Sequence, residues 1–211
     1  ACRRKYLATP LRNGFMHETG IRIMIRLVQL IGAMHEKALL PIFSYYKDHY
    51  IRAFFRCKEG SGRVDELLAR HKEILYCNSC CSIRIRGDND NNSCSCGKIM
   101  IKAGPLWAGK LFDPGLATRL AAAGAGEKTK KFLGTIAEEA KKEGRTGVGF
   151  YAIEDVCEKH RIGQQPKTAD VIKRLQRNGY SASPTHCTTT GVKTDATVTG
   201  FVVAVKASSN Q

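Results

Sequence analysis

The chain lacks any apolar run long enough to cross a bilayer, and no secretory leader is visible at its start. Its longest apolar stretch, residues 21–34, is broken by Arg22, Arg26, Gln29 and Gly32. Acidic residues are few: 19 Asp and Glu stand against 34 Lys and Arg, a net charge of +15. Repeats and low-complexity segments are absent, and the basic excess is spread along the chain and not gathered in a tail. The expectation is a soluble intracellular protein, cytoplasmic or, in a eukaryote, nuclear, with no membrane partner. A folded basic surface of this kind attracts polyanions, nucleic acid foremost, and such binding weakens steeply with salt. Charge kept for solubility alone is the blander reading.

A disulfide framework is also missing. Nine cysteines are an odd number, and Cys2, Cys57, Cys157 and Cys187 stand singly, as suits a reducing compartment. The other five crowd ILYCNSCCSIRIRGDNDNNSCSCGK, residues 74–98. Cys77 and Cys80 form a C-x2-C knuckle, and Cys94 and Cys96 follow as C-x-C-G. Between them IRIRGDNDNN reads as a strand and a polar loop, as a zinc ribbon requires. Zinc takes four soft ligands in a tetrahedron at ~2.3 Å, and two knuckles on adjacent turns supply them. Cys77, Cys80, Cys94 and Cys96 are therefore the expected ligands of a structural zinc, with Gly97 helping the second turn. That second knuckle is one residue short, and Cys81 competes with Cys80. Free or oxidised thiols in a loop are the alternative.

Elsewhere the apolar rhythm of Ile21, Met24, Ile25, Val28 and Ile31 predicts a helix over 18–34 that packs on a sheet. Alternation of Ile51, Ala53, Phe55 and Cys57 with Arg52, Phe54 and Arg56 predicts a strand. EGSG turns the chain into a short helix over 64–72, and residues 116–143 read as helical with a break at AGAGEK. In the tail, FYAIEDVCEKHRIG and PKTADVIKRLQRNGY give two short helices. SASPTHCTTTGVKTDATVTGFVVAV gives a β ribbon, so that the tail resembles a winged helix-turn-helix.

Four stretches carry a family resemblance: ACRRKYLATPLRNGFMHETGIRI, FSYYKDHYIRAFFR, GPLWAG and ASPTHCTTTGVKTDA. They resemble the archaeal and eukaryotic tRNA (guanine-26-N2)-dimethyltransferases. Ser183, Thr185, His186, Gly191, Lys193, Thr194, Asp195 and Ala196 stand as the family's S-x-T-H…G-x-K-T-D-A. Tyr46, Lys47, Asp48, His49, Tyr50 and Arg52 match its Y-K-D-H-Y-x-R, and Gly104, Pro105, Leu106 and Trp107 its G-P-L-W. The resemblance implies transfer of two methyl groups from S-adenosylmethionine to a guanine amine of tRNA. It also implies a Rossmann-like domain followed by a C-terminal domain. The family's cofactor segments and catalytic Asp-Pro-Phe-Gly lie ahead of the matched stretch, so the chain looks like the rear of the enzyme, whose missing N-terminal half is its partner.

The residues themselves agree. A cofactor loop needs a strand, a glycine-rich turn and a helix. AAAGAGEKTKK has Glu127 where a phosphate loop needs glycine, and FDPG (112–115) lacks an aromatic between proline and glycine and reads as a turn. No catalytic or cofactor-binding residue is assigned. The expected fold class is α/β (α+β): the rear of a Rossmann-like domain and the start of the C-terminal domain in 1–72, a zinc-ribbon-like insert in 73–109, and an α+β tRNA-binding domain with a winged-helix-like tail in 110–211.

For RNA, VIKRLQRNGY places Lys173, Arg174 and Arg177 on one short helix. His186, Thr188, Thr190, Lys193 and Thr194 add hydroxyls and a cation in the following ribbon, where Asp195 could fix Lys193. Arg3, Arg4 and Lys5 are further phosphate candidates. The run 46–52 could line a substrate cleft or brace the sheet, while Trp107 reads as core. Two rival readings are a free-standing zinc-containing RNA-binding module and a winged-helix DNA-binding protein.

Overall fold

In the computed structural model, which describes residues 1–124 and 126–209, a short helix α1 (Cys2–Tyr6) leads into α2 (Met16–Ala33). Of the apolar face expected on α2, Ile21 and Ile25 are buried, Met24 and Val28 half-buried and Ile31 exposed, as is Met34 just past the helix, whereas Arg22 and Gln29, which interrupt the apolar run, are fully buried. Where alternation predicts one strand, the structure has two. β1 (Lys37–Lys47) and β2 (Tyr50–Glu59) form an antiparallel hairpin from Lys37 opposite Glu59 to Lys47 opposite Tyr50. At its tip Asp48 adopts a left-handed φ of 54°, which a short polar side chain tolerates. Ile51, Ala53 and Phe55 face inward as expected, but Cys57 is exposed.

After α3 (Ser61–Leu68) come β3 (His71–Tyr76), β4 (Ile83–Ile85) and β5 (Ile101–Trp107), an antiparallel sheet in the order β4-β3-β5. Side chains of a strand alternate between faces, and β3 uses both. Ile74 and Tyr76 join the main core, while Leu75 packs with Cys77, Cys80, Cys94 and Met100 in a small separate cluster. The segment 73–109 is thus not walled off from its neighbours. One hydrophobic cluster draws on Ala8, Ile74, Trp107 and Val205 alike.

α4 (Pro114–Ala123) and α5 (Glu127–Thr146) flank the break expected at AGAGEK, of which Ala125 lies outside the described residues. FDPG is a helix start and not a turn: Asp113 Oδ1 accepts the Leu116 N–H at 2.9 Å and Pro114 occupies the first helical position. β6 (Tyr151–Ala152), α6 (Ile153–Lys159), α7 (Thr168–Arg177), β7 (Ala182–Pro184) and β8 (Gly191–Thr194) follow, with an antiparallel sheet in the order β6-β8-β7. Gly191 is required where β8 begins, because a Cβ there would lie 2.5 Å from Thr185 Cγ2 and 2.9 Å from the Phe150 ring.

The ribbon expected to run through 198–205 ends earlier. Residues Val198–Ser209 form α8, which buries Phe201, Val202, Val205 and Ser208 at helical spacing. The run of β-branched residues suggested a strand, but tertiary burial of one helical face prevails over that propensity. Among the described residues no helix is long and apolar enough to cross a membrane.

Candidate metal centre and nucleic-acid interface

The first knuckle lies on the β3–β4 turn and the second in the loop before β5. Cys81 N–H donates to the Cys77 carbonyl at 2.8 Å, and Gly97 N–H to the Cys94 carbonyl at 2.9 Å. Cys81 and Gly97 have left-handed φ values of 65° and 79°, so each turn closes on its own sulfur pair. The sulfurs of Cys77, Cys80, Cys94 and Cys96 all lie within 4.8 Å of one another, with Cys77–Cys96 and Cys80–Cys94 both at 3.5 Å. A tetrahedron with ~2.3 Å metal–sulfur bonds has edges of roughly 3.8 Å, so the cluster has the dimensions to hold one ion. Cys80, not Cys81, belongs to it; the Cys81 thiol meets Tyr76 instead. Burial raises the Cys94 thiol, but the Cys96 N–H and the neighbouring sulfurs outweigh it and lower it to about 7, whereas burial raises the Cys80 thiol, so the protons are shared unevenly over the cluster.

Beneath the tail lies a set of buried charges that sequence reasoning missed. Lys193 is fully buried; its Nζ donates to Glu18 Oε1 at 3.0 Å and to the Gly149 carbonyl at 3.2 Å, and is 3.9 Å from Glu139 Oε1. Arg22, also fully buried, donates to Glu18 Oε1 at 2.8 Å and to the carbonyls of Trp107 and Gly109. Glu143 accepts the N–H groups of Leu111 and Phe112 at 2.8 and 3.3 Å. A buried charge survives only when paired and hydrogen-bonded, and α2, α5 and β8 each supply members. The one local sign was the i, i+4 pair Glu18–Arg22 within an apolar helix face.

Burial alone would raise the Glu18 carboxyl, but Lys193, Arg22 and the Gly149 N–H outweigh it and lower it to about 2. A depressed carboxylate stabilises the fold fully above its unfolded value near 4.5 and loses that contribution as pH falls towards 2. The contribution is about 3 kcal/mol. Urea titrations should therefore show the gap between parent and Glu18→Gln closing between pH 4.5 and 2.

His186 was expected to meet RNA, yet its side chain is buried, with Nδ1 2.8 Å from Glu139 Oε2. Burial disfavours the imidazolium, but the Glu139 carboxylate and Cys187 outweigh it and raise the proton affinity of the ring well above its ordinary value. The Tyr46 N–H, 3.3 Å from Nε2, can only donate, so this contact is made by the tautomer that carries its proton on Nδ1. His186 therefore pins the hairpin to α5. Tyr46 is held again by stacking on His17, with ring centroids 3.8 Å apart.

The structure disperses the other expected RNA contacts. Lys193 faces the interior and cannot reach a phosphate. Lys173 and Arg177 are exposed on α7, one turn apart, while Arg174 turns its guanidinium towards the Ala207 carbonyl of α8 at 3.5 Å. Thr194, largely buried, lies on another face, where Asp195 accepts from Arg145 and from the Ser181 N–H and leaves Lys193 alone. Thr188 and Thr190 are half-buried with their hydroxyls 3.3 Å apart. Arg3, Arg4 and Lys5 are exposed on α1, and Trp107 is core, its Nε1–H donating to the Lys110 carbonyl. What does converge is a cleft of about 960 Å³ between the hairpin tip, the start of α5, the start of α7 and the 184–189 loop. Tyr46, Lys47 and Asp48 line it, so the 46–52 run both braces the sheet and borders a cleft.

Residues 1–206 match the family described as N2,N2-dimethylguanosine tRNA methyltransferase. The chain belongs to that family. Among its relatives, the tRNA (guanine(26)-N(2)/guanine(27)-N(2))-dimethyltransferase of Aquifex aeolicus is 35% identical over 180 residues, 82% of this chain and 45% of the relative. The tRNA (guanine(26)-N(2))-dimethyltransferase of Methanobrevibacter smithii is 31% identical over 204 residues, 92% of this chain and 52% of the relative. The fold superimposes on Trm1 from Pyrococcus horikoshii, solved in complex with S-adenosyl-L-methionine, with a TM-score of 0.82 at 28% identity. That match covers 97% of this chain and 54% of the other. The chain spans about half the length of the curated relatives it matches.

Proposed function

We propose that this chain is the tRNA-gripping portion of a tRNA (guanine-26-N2)-dimethyltransferase, which moves methyl groups from S-adenosylmethionine to the exocyclic amine of a guanine. The observation that carries this reading is the superposition on Trm1 along nearly the whole chain, at about half of Trm1's own length. Guanine N2 is a weak nucleophile because its lone pair is delocalised into the ring. The base must be extracted, aligned with the donor methyl and relieved of a proton. Among the described residues no strand, glycine-rich turn and helix make a donor site, and on this reading the donor pocket and the catalytic Asp-Pro-Phe-Gly fall to the part of Trm1 that the match does not cover. This portion holds the RNA in register.

The four sulfurs of Cys77, Cys80, Cys94 and Cys96 hold a structural zinc, which would staple two turns that bury little apolar surface of their own. The order α5, β6, α6, α7, β7, β8, with its β6-β8-β7 sheet, supports a winged-helix-like unit. Use of that unit to read duplex DNA is disfavoured, since Arg174 of α7 is turned onto α8 and not held out for a groove. Lys173 and Arg177 remain the phosphate contacts of this helix.

Calorimetry provides the test. The chain should bind tRNA, with an affinity that falls steeply as salt rises, and S-adenosylmethionine should give no binding heat. Tight binding of the donor by these 211 residues would overturn the assignment.

A further inference from the structure

The cleft beside His186 differs from the rest of the basic surface. Lys47 from the hairpin tip, Lys128 and Lys131 from α5, and Lys173 from α7 converge on it. Among the described residues none of these four is in an ion pair, whereas Arg22, Arg84, Arg86, Lys102, Arg145, Lys159 and Lys193 all are. Asp48 and Glu138 also line the cleft, leaving cations in excess there. Lys128 and Lys131 are i, i+3 neighbours on one helix face, and Lys47 Nζ is placed 5.3 Å from the Phe132 ring centre. α7 starts at the cleft with no side-chain cap, so the positive end of its dipole points there as well.

Inside the ring of lysines the floor is apolar. Phe132, Ile172 and Pro184 line it, and at about 960 Å³ it is at the upper end of the ~300–1,000 Å³ typical of small-ligand pockets. Duplex RNA is recognised across a wide, shallow groove by shape and phosphate contacts and has no use for an apolar hollow. An unpaired nucleotide does, because its base needs apolar or aromatic cover while its phosphates need cations. We propose that this cleft takes an unpaired stretch of the tRNA, a base against the Phe132–Ile172–Pro184 floor and the flanking phosphates on Lys47, Lys128, Lys131 and Lys173. The assignment rests on the tRNA-gripping reading above and narrows it to one face and one RNA conformation. Buried His186 serves the site indirectly, by holding Tyr46, and with it the hairpin that carries Lys47, against α5.

Fluorescence-polarisation binding of the chain to unmodified tRNA tests this, with Lys128→Glu/Lys131→Glu compared against Lys58→Glu/Lys72→Glu. All four lysines are exposed, so folding is not at stake, and the two variants carry equal charge. The cleft variant should bind tRNA at least tenfold more weakly, and the slope of log K against log salt should fall by about two, one for each lost phosphate contact. The comparison variant should change affinity less than threefold. A short single-stranded RNA should compete for the parent chain and not for the cleft variant, and a duplex of equal length should compete poorly with both. Equal losses in the two variants, or a duplex that competes as well as the single strand, would overturn the cleft assignment while leaving tRNA binding intact. Absence of tRNA binding by the parent chain would remove the underlying reading as well.

Discussion

Lys193→Met is expected to lower the stability of the fold by about 3–5 kcal/mol, the usual cost of leaving a buried charge without its partner. Lys193 is completely buried, and its ammonium is the shared neighbour of Glu18 and Glu139. Methionine fills nearly the same space, so the loss is one of charge and hydrogen bonds and not of volume. Glu18 then keeps Arg22 alone and Glu139 loses the ammonium beside its Oε1, so the desolvation of both buried carboxylates acts against folding. Urea melts should show a lower midpoint at an unchanged slope. The double variant Glu18→Gln/Lys193→Met should lose less than the sum of the single losses, because it removes acid and base together. A loss below about 1 kcal/mol for Lys193→Met, the range of exposed pairs, would mean that water reaches the site.

The second large effect concerns the four sulfurs. Metal analysis of the purified chain should find one zinc per molecule, falling to none in Cys77→Ser or Cys96→Ser, because a hydroxyl does not replace a thiolate as a soft ligand. Cys81→Ser should keep its metal, since Cys81 is outside the sulfur cluster. Removal of the ion with a chelator should leave α2, β1 and β2 folded. The sulfur pairs sit in the small cluster of Leu75, Cys77, Cys80, Cys94 and Met100, which meets the tail at Val198 and His160, while α2 and the hairpin belong to the main core. Hydrogen exchange should therefore accelerate over residues 77–100 and stay slow in α2. Retention of metal by Cys77→Ser would point to a different ligand set.

Local patterns account for much of what could be read in advance. The spacing of Ile21, Met24, Ile25, Val28 and Ile31 announced α2, and the spacing of Cys77, Cys80, Cys94 and Cys96 marked the four sulfurs that come together across two turns. Both signals are short-range, the first a helical period and the second a turn geometry. Lys193 carried no such signal. In a chain of net charge +15 a lysine in a polar ribbon reads as a surface cation, and it is drawn inward by distant partners, Glu18, 175 positions away, and Glu139 on α5. His186 went the same way, because Glu139 on α5 and Tyr46 on the hairpin claim both of its nitrogens. The cleft was also out of reach, since Lys47, Lys128 and Lys173 become neighbours only through the packing of three separate elements. In α8 the local signal misled: Val198, Val202, Val203 and Val205 favour a strand, and the burial of one helical face decided otherwise.

The acid on α2 and the base on β8 are drawn from positions 175 residues apart, and that has an evolutionary consequence. Modules spread by recombination when each can be cut out and pasted elsewhere without harming its host. Here a crossover anywhere between residues 18 and 193 would hand a descendant one half of a lock with a foreign key. The front and back of this fold are bound to be inherited together.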